Sequence, residues 1–258
     1  MSSFSEKLKL ISLRDLSFVI LLVFIIESLL SSLNLFKFNS SLIYVSVICY
    51  FIFKLKSSFS SFRQDFLKVF TMQSLKDILT VVILNIFISY GLLYLSNFIL
   101  GVYPALNSFV RSSVLVNNSL FAFYGFIMVV FISPVSEELI FRGVLLNRLN
   151  LVLPMDFSIV ISSILFAFLH SFGSITSAFI FAICMTILYL KTDNILVPIF
   201  AHFLNNFIAE SIVIIDVGKV LFTNHVVMLI MSILAIISAI VILIQIKEQW
   251  NILNINKL

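Results

Sequence analysis

An all-α, polytopic membrane bundle of about eight transmembrane helices is the fold class that this sequence predicts, and three observations carry the prediction. The chain is 61% hydrophobic and only 11% charged, against about 25% charged residues in an ordinary soluble globule. Its mean hydropathy is +1.19. Apolar runs of bilayer-spanning length recur from end to end, uniformly apolar and not alternating, so in lipid they close their backbone hydrogen bonds as helices and not as barrel strands.

The runs place spans at about 16–36, 40–53, 77–100, 119–147, 157–172, 174–190, 195–215 and 223–246. The first is longer than a signal peptide and lacks a small-residue cleavage pattern, so it reads as a retained helix. The second is short for a bilayer. It either tilts at the interface or extends into its polar flanks. The fifth and sixth are joined by His170-Ser171-Phe172-Gly173-Ser174 and form either two crossings or a re-entrant hairpin. No repeat, low-complexity linker or composition shift marks a second domain. Within one integral membrane domain we expect N-terminal helices over 1–118, a core over 119–215 and a final helix with its tail over 216–258. Cys49 and Cys184 both fall inside apolar runs, which suggests buried small hydrophobes and neither a disulfide framework nor a cysteine metal site.

Loop cations orient the bundle, because positive loops stay cytoplasmic. With the N-terminus inside, cytoplasmic segments hold residues such as Lys9, Arg14, Lys54, Arg63, Lys76, Arg148, Lys191 and Lys247, and the opposite face only Lys37, Arg111 and Lys219. Both termini are then expected in the cytosol, in a multi-pass protein of the plasma membrane. Between Lys54 and Lys76, Phe59, Phe62, Phe66 and Phe70 recur at helical spacing among basic residues. That pattern fits either a helix lying on an anionic membrane surface or a solvated loop. The bilayer is the expected partner of these charges, and no nucleic acid is expected.

Charged side chains deep in apolar helices cost at least ~2.5–3.5 kcal/mol each on insertion scales and by default mark function. The fourth span carries Glu137, Glu138 and Arg142, the fifth His170, and the seventh His202, Asn205, Asn206 and Glu210. Glu138 and Arg142, four apart, share a helix face and can pair. Glu137 points about 100° away and is expected to face water or substrate. His202 and Asn206 are also four apart and project together. Pro134, one turn before the glutamates, removes a backbone donor and either kinks the helix or loosens its carbonyls. The Glu138–Arg142 pair is open to a purely structural reading as well as a catalytic one. Glu27 is either a cavity residue or a helix–helix partner, and His225 reads as interfacial.

Glu-Glu-x-x-x-Arg at 137–142, Phe-x-x-x-His at 166–170 and His-x-x-x-Asn at 202–206, in that order on successive apolar helices, resemble the three motifs of the CPBP family of intramembrane proteases. That family groups type II CAAX prenyl endopeptidases with bacteriocin-immunity (Abi) proteins. The resemblance covers about 119–215 and implies a peptide hydrolase with a cavity opening toward the cytosol. It implies Glu137 as general base, His170 as the residue that orients the attacking water, and His202 with Asn206 as oxyanion donors. Glu138 and Arg142 complete the first motif. The expected partner is a membrane-associated peptide or protein. Zinc on Glu137, His170 and His202, with an open fourth position, is an alternative to a metal-free glutamate mechanism. Two other classes fit part of the pattern: a proton-coupled transporter, although the chain shows no repeated half, and a membrane immunity protein that binds without turnover.

Overall fold

The computed structural model describes residues 3–33, 41–56, 59–102, 119–170 and 174–255. Within them the regular elements are helices: α1 (Ser3–Leu10), α2 (Leu13–Ser32), α3 (Ser41–Leu55), α4 (Phe59–Val69) and α5 (Met72–Val102). Next comes α6, which runs unbroken from Ser119 to Leu149, then α7 (Met155–Ala167), α8 (Ile175–Thr192), α9 (Leu196–Ile215), α10 (Val220–Thr223) and α11 (His225–Ile255). The expected links through Lys37, Arg111, Lys257 and Ser171 to Gly173 lie outside the described residues.

The described residues thus form an all-α bundle that fits a membrane protein, and by length and composition they supply five of the expected eight spans. Five helices among the described residues are long and apolar enough to cross a membrane, at Met72–Ile99, Phe123–Leu149, Ile175–Thr192, Leu196–Ile215 and His225–Asn251. The shortfall has a geometric cause at the expected spans 40–53 and 157–172. α3 has 15 residues and α7 has 13, so they reach about 20–23 Å at 1.5 Å per residue, short of the ~30 Å hydrocarbon core. α2 has 20 residues but carries Arg14, Asp15 and Glu27. Glu27 is fully buried on α2 and is not among the residues lining the site cavity.

The outward faces are apolar, as lipid requires: on α11, Leu229, Ile233, Ile236, Ile240 and Leu243 are all exposed. Where helices approach each other closely, small residues make room. Gly91 on α5 faces Ala235 on α11 so closely that a Cβ at position 91 would lie 2.4 Å from the Ala235 Cβ. Cys184 is buried, whereas Cys49 is exposed on the outer face of α3, a partner-free position that the apolar run around it concealed.

The basic loops gather at one end of the bundle. Lys9 pairs with Asp193 at 2.9 Å and Lys191 with Asp77 at 2.7 Å. Arg148 donates to the Ile11 carbonyl, and Asn194 donates to the Asp65 carbonyl. Asn194 also accepts from the Leu196 backbone N–H, which caps the start of α9 after Asp193 takes the left-handed conformation that ends α8. Glu248 and Gln249 near the end of α11 line a pocket with Lys76 and Lys191, so the last helix returns to this same end. Within the segment 54–76, Phe59–Val69 forms α4, which turns Phe62 and Phe66 onto an apolar groove shared with α3, α6 and α9. It leaves Arg63 and Gln64 exposed.

This placement sets a topological test. A reporter active only outside the cytosol, fused after residue 258, is expected to be silent, because the end that carries the basic loops also carries α11's last turns. Reporter activity in intact cells would place that end outside.

Candidate functional site

The fourth expected span departs from α-helical geometry at the places where its polar residues sit. Met128–Ile132 and Leu139–Leu145 are π-helical, separated by the α-helical Ser133–Glu138. Single π-turns inside α-helices are rare and concentrate at functional positions. The first has a cause in the sequence. Ser133 donates its N–H five residues back to the Met128 carbonyl, and Pro134 has no N–H to give. The Val129 carbonyl is therefore left without its usual donor at either position. Asn206 on α9 supplies one, its Nδ2 donating to that oxygen at 2.9 Å. At the second π-turn, Asn147 Nδ2 donates to the carbonyls of Arg142 and Gly143.

Glu138 is the hub. Its Oε1 accepts from Arg142 Nη1 at 3.0 Å and from His202 Nδ1 at 2.8 Å, which joins α6 to α9. Arg142 reaches further, donating through Nη2 to the Ala182 carbonyl at 2.8 Å and through Nε to Thr186 Oγ1 at 3.4 Å on α8. Its guanidinium also lies over the Phe166 ring, 4.7 Å from the centroid, a contact in which cation–π attraction adds to the ion pair. Glu138 and Arg142 are both excluded from solvent. The expected i, i+4 clasp is thus present, with His202 as a third member that helical angles alone did not reveal.

Glu137 points away from this clasp, as its helical angle requires, but it is also buried. Ser133 Oγ donates to its Oε1, and its Oε2 lies 3.9 Å from His202 Nε2. That separation exceeds a hydrogen bond and suits one bridging water. His170, just beyond α7, donates Nδ1–H to the Phe166 carbonyl at 3.2 Å, since a carbonyl can only accept. In the neutral ring its Nε2 is then bare. The same reasoning applies to His202: Glu138 Oε1 accepts from its Nδ1–H, so in the neutral ring Nε2 is bare. Phe166 and Phe181 flank the His202 ring at 5.9 and 5.1 Å.

The structure brings His170, His202 and Asn206 to one cavity of about 160 Å³, which Asn85, Ser89 and Ser177 also line. Glu137 contacts its edge through His202 and is not itself a lining residue. Glu210, on the same stripe of α9, is half-buried and stays outside the cavity. Asn206 does not touch His202 directly; its amide is held between Val129 and Asn205. Among the described residues no group of three His, Cys, Asp or Glu side chains is placed to hold a metal ion, the expected zinc ligands Glu137, His170 and His202 included. Sequence reasoning missed Asn85, although a lone amide in the apolar run 77–100 was a signal of the same kind as the glutamates.

Residues 118–208, about a third of the chain, match the family model described as Type II CAAX prenyl endopeptidase Rce1-like. The matched segment contains all three motifs and α6 to α9 up to Ile208. No curated protein and no solved structure matches the chain.

Removing one partner from the clasp is expected to cost far more than removing both. Glu138→Gln leaves Arg142 without its counter-charge, a penalty of roughly 3–5 kcal/mol, read as a lower unfolding temperature in detergent. Glu138→Gln combined with Arg142→Met is expected to recover much of that loss, since an apolar replacement of a buried pair is often nearly neutral. Equal stability of the wild type and Glu138→Gln would mean the clasp is not formed.

Proposed function

We propose that this chain, which through residues 118–208 matches the type II CAAX prenyl endopeptidase Rce1-like family model, is an intramembrane endopeptidase that cleaves a membrane-associated peptide by glutamate-activated water. The observation that carries the reading is the two-sided His202, bonded to Glu138 through Nδ1 and turned toward Glu137 through Nε2. Two carboxylates therefore address one imidazole from opposite edges, an arrangement suited to moving a proton.

Glu137 takes a proton from water as the oxygen attacks the scissile carbonyl carbon, and His170, with Nε2 bare, accepts a hydrogen bond that orients that water. The carbonyl oxygen gains the negative charge, and Asn206 donates its remaining N–H to it. His202 differs from the oxyanion donor that the family resemblance implies. Its neutral ring has no hydrogen on Nε2, so it first receives the proton from Glu137. The imidazolium then lies against Glu138 and returns the proton to the nitrogen of the breaking C–N bond, giving a free acid and a free amine.

The substrate follows from the family only as a class, a peptide presented at the membrane. CAAX-type processing of a prenylated protein and destruction of a bacteriocin in self-immunity are both consistent with the site. Eight spans and a site open to the cytosol of the plasma membrane belong to the same proposal, supported by the cation asymmetry of the loops. A proton-coupled transporter draws no support from the chain, which shows no repeated half.

The test is Glu137→Gln, which keeps size and hydrogen bonding. Protein levels in the membrane are expected to be unchanged, and hydrolysis of an internally quenched farnesylated CAAX peptide is expected to fall about 10²–10⁴-fold. Full hydrolysis by the variant would remove Glu137 from the reaction. Full protection against a bacteriocin by the variant would favour binding without turnover.

A further inference from the structure

Three asparagines form a line, and two of them, Asn85 and Asn205, have no part in the proposed reaction. Asn85 on α5 donates through Nδ2 to Asn205 Oδ1 at 2.9 Å. Asn205 on α9 donates in turn to Asn206 Oδ1 at 3.2 Å, and Asn206 donates to the Val129 carbonyl at 2.9 Å. Asn205 and Asn206, adjacent on one helix and about 100° apart, face different neighbours, so the line crosses α9 and ties α5 to α6.

We propose that Asn85 and Asn205 are positioning residues that fix the Asn206 carboxamide, leaving one of its N–H groups aimed into the cavity. This inference rests on the endopeptidase reading for its consequence in turnover, but not for its geometry. A carboxamide has one oxygen and two N–H donors. In Asn206 the oxygen is taken by Asn205 and one N–H by Val129, which together fix the amide plane and decide which end is oxygen. With either bond missing, the group is free to rotate half a turn and present its oxygen to the cavity, where a developing oxyanion would be repelled.

Two features separate this line from ordinary interior satisfaction. The first is that it ends on a carbonyl that needs a side-chain donor only because Pro134 and the π-turn removed the backbone ones. The proline beside the glutamates thus creates the anchor for a residue on another helix. The second is that the line does not close at its other end. Asn85 is buried, yet its Oδ1 has no hydrogen-bond partner, and Asn85 lines the same cavity as Asn206.

The experiment uses the full chain in nanodiscs with Asn85→Leu, which is apolar and of similar size, and Asn205→Asp, which keeps the acceptor for Asn85 and loses the donor to Asn206. On the farnesylated CAAX peptide, both are expected to lower kcat by up to about 100-fold, the scale of a misplaced catalytic group, with KM unchanged. Asn85→Leu is expected to add nothing further in an Asn206→Ala background, because it acts through Asn206. An equal loss in both backgrounds, or a wild-type kcat in both variants, overturns the proposal. A second readout does not depend on turnover. In protein labelled with 15N-asparagine, the side-chain amide pair that vanishes in Asn206→Ala is expected to shift in Asn85→Leu and in Asn205→Asp. An unmoved pair overturns the proposal even if the peptide is cleaved. A pair that shifts in both variants, with a wild type that never cleaves the peptide, supports the amide line and refutes the CAAX-type form of the endopeptidase reading.

Discussion

One carboxylate oxygen, Glu138 Oε1, accepts from Arg142 and from His202 at once, and the remaining groups of the site take their places around it. Through Arg142 it fixes α8, whose Ala182 carbonyl and Thr186 hydroxyl complete the guanidinium's bonds. Through His202 it fixes α9. The burial of these charges is tolerable only because they are paired and hydrogen-bonded, since each alone would be strongly destabilising in a low-dielectric interior. The same bond chooses the His202 tautomer. Glu138 thus holds three helices together, and such a structural role does not exclude a chemical one.

The second constraint is Pro134. A proline inside a helix frees carbonyls, and here the helix answers with a π-turn on its N-terminal side while a neighbouring helix answers with an amide. The distortion is local and the chain continues as one helix through to Leu149. Its consequence is distant, because the residue that satisfies Val129 belongs to the cavity. Backbone irregularity at membrane depth is tolerated where protein groups re-satisfy it, and α6 does this twice, with Asn206 and with Asn147.

Much of this was legible in the sequence, for reasons that differ by residue. Glu138 and Arg142 are four apart on one helix, so helical geometry alone brought them together. The membrane class followed from composition, and the common end of the basic loops followed from their charge. Number of crossings was harder to read, because hydropathy does not distinguish the 13 residues of α7 from a full span when flanking apolar residues extend the run. Tertiary pairings were out of reach. Nothing in His-x-x-x-Asn says that the histidine turns to Glu138 while the asparagine turns to a backbone carbonyl, although both line one cavity as their four-residue spacing predicts. Asn85 lies 120 positions from Asn205 in the chain, so only the fold joins them.

The most direct measurement of this account is the tautomer of His202, by 15N spectroscopy of histidine-labelled protein with His202→Ala as the assignment control. At neutral pH the ring is expected to carry its proton on Nδ1 and a bare lone pair on Nε2, and Glu138→Gln is expected to disturb that preference. A neutral ring protonated on Nε2 would contradict it, since His202 would then be a ready donor to an oxyanion and Glu138 would no longer be the group that organises the site.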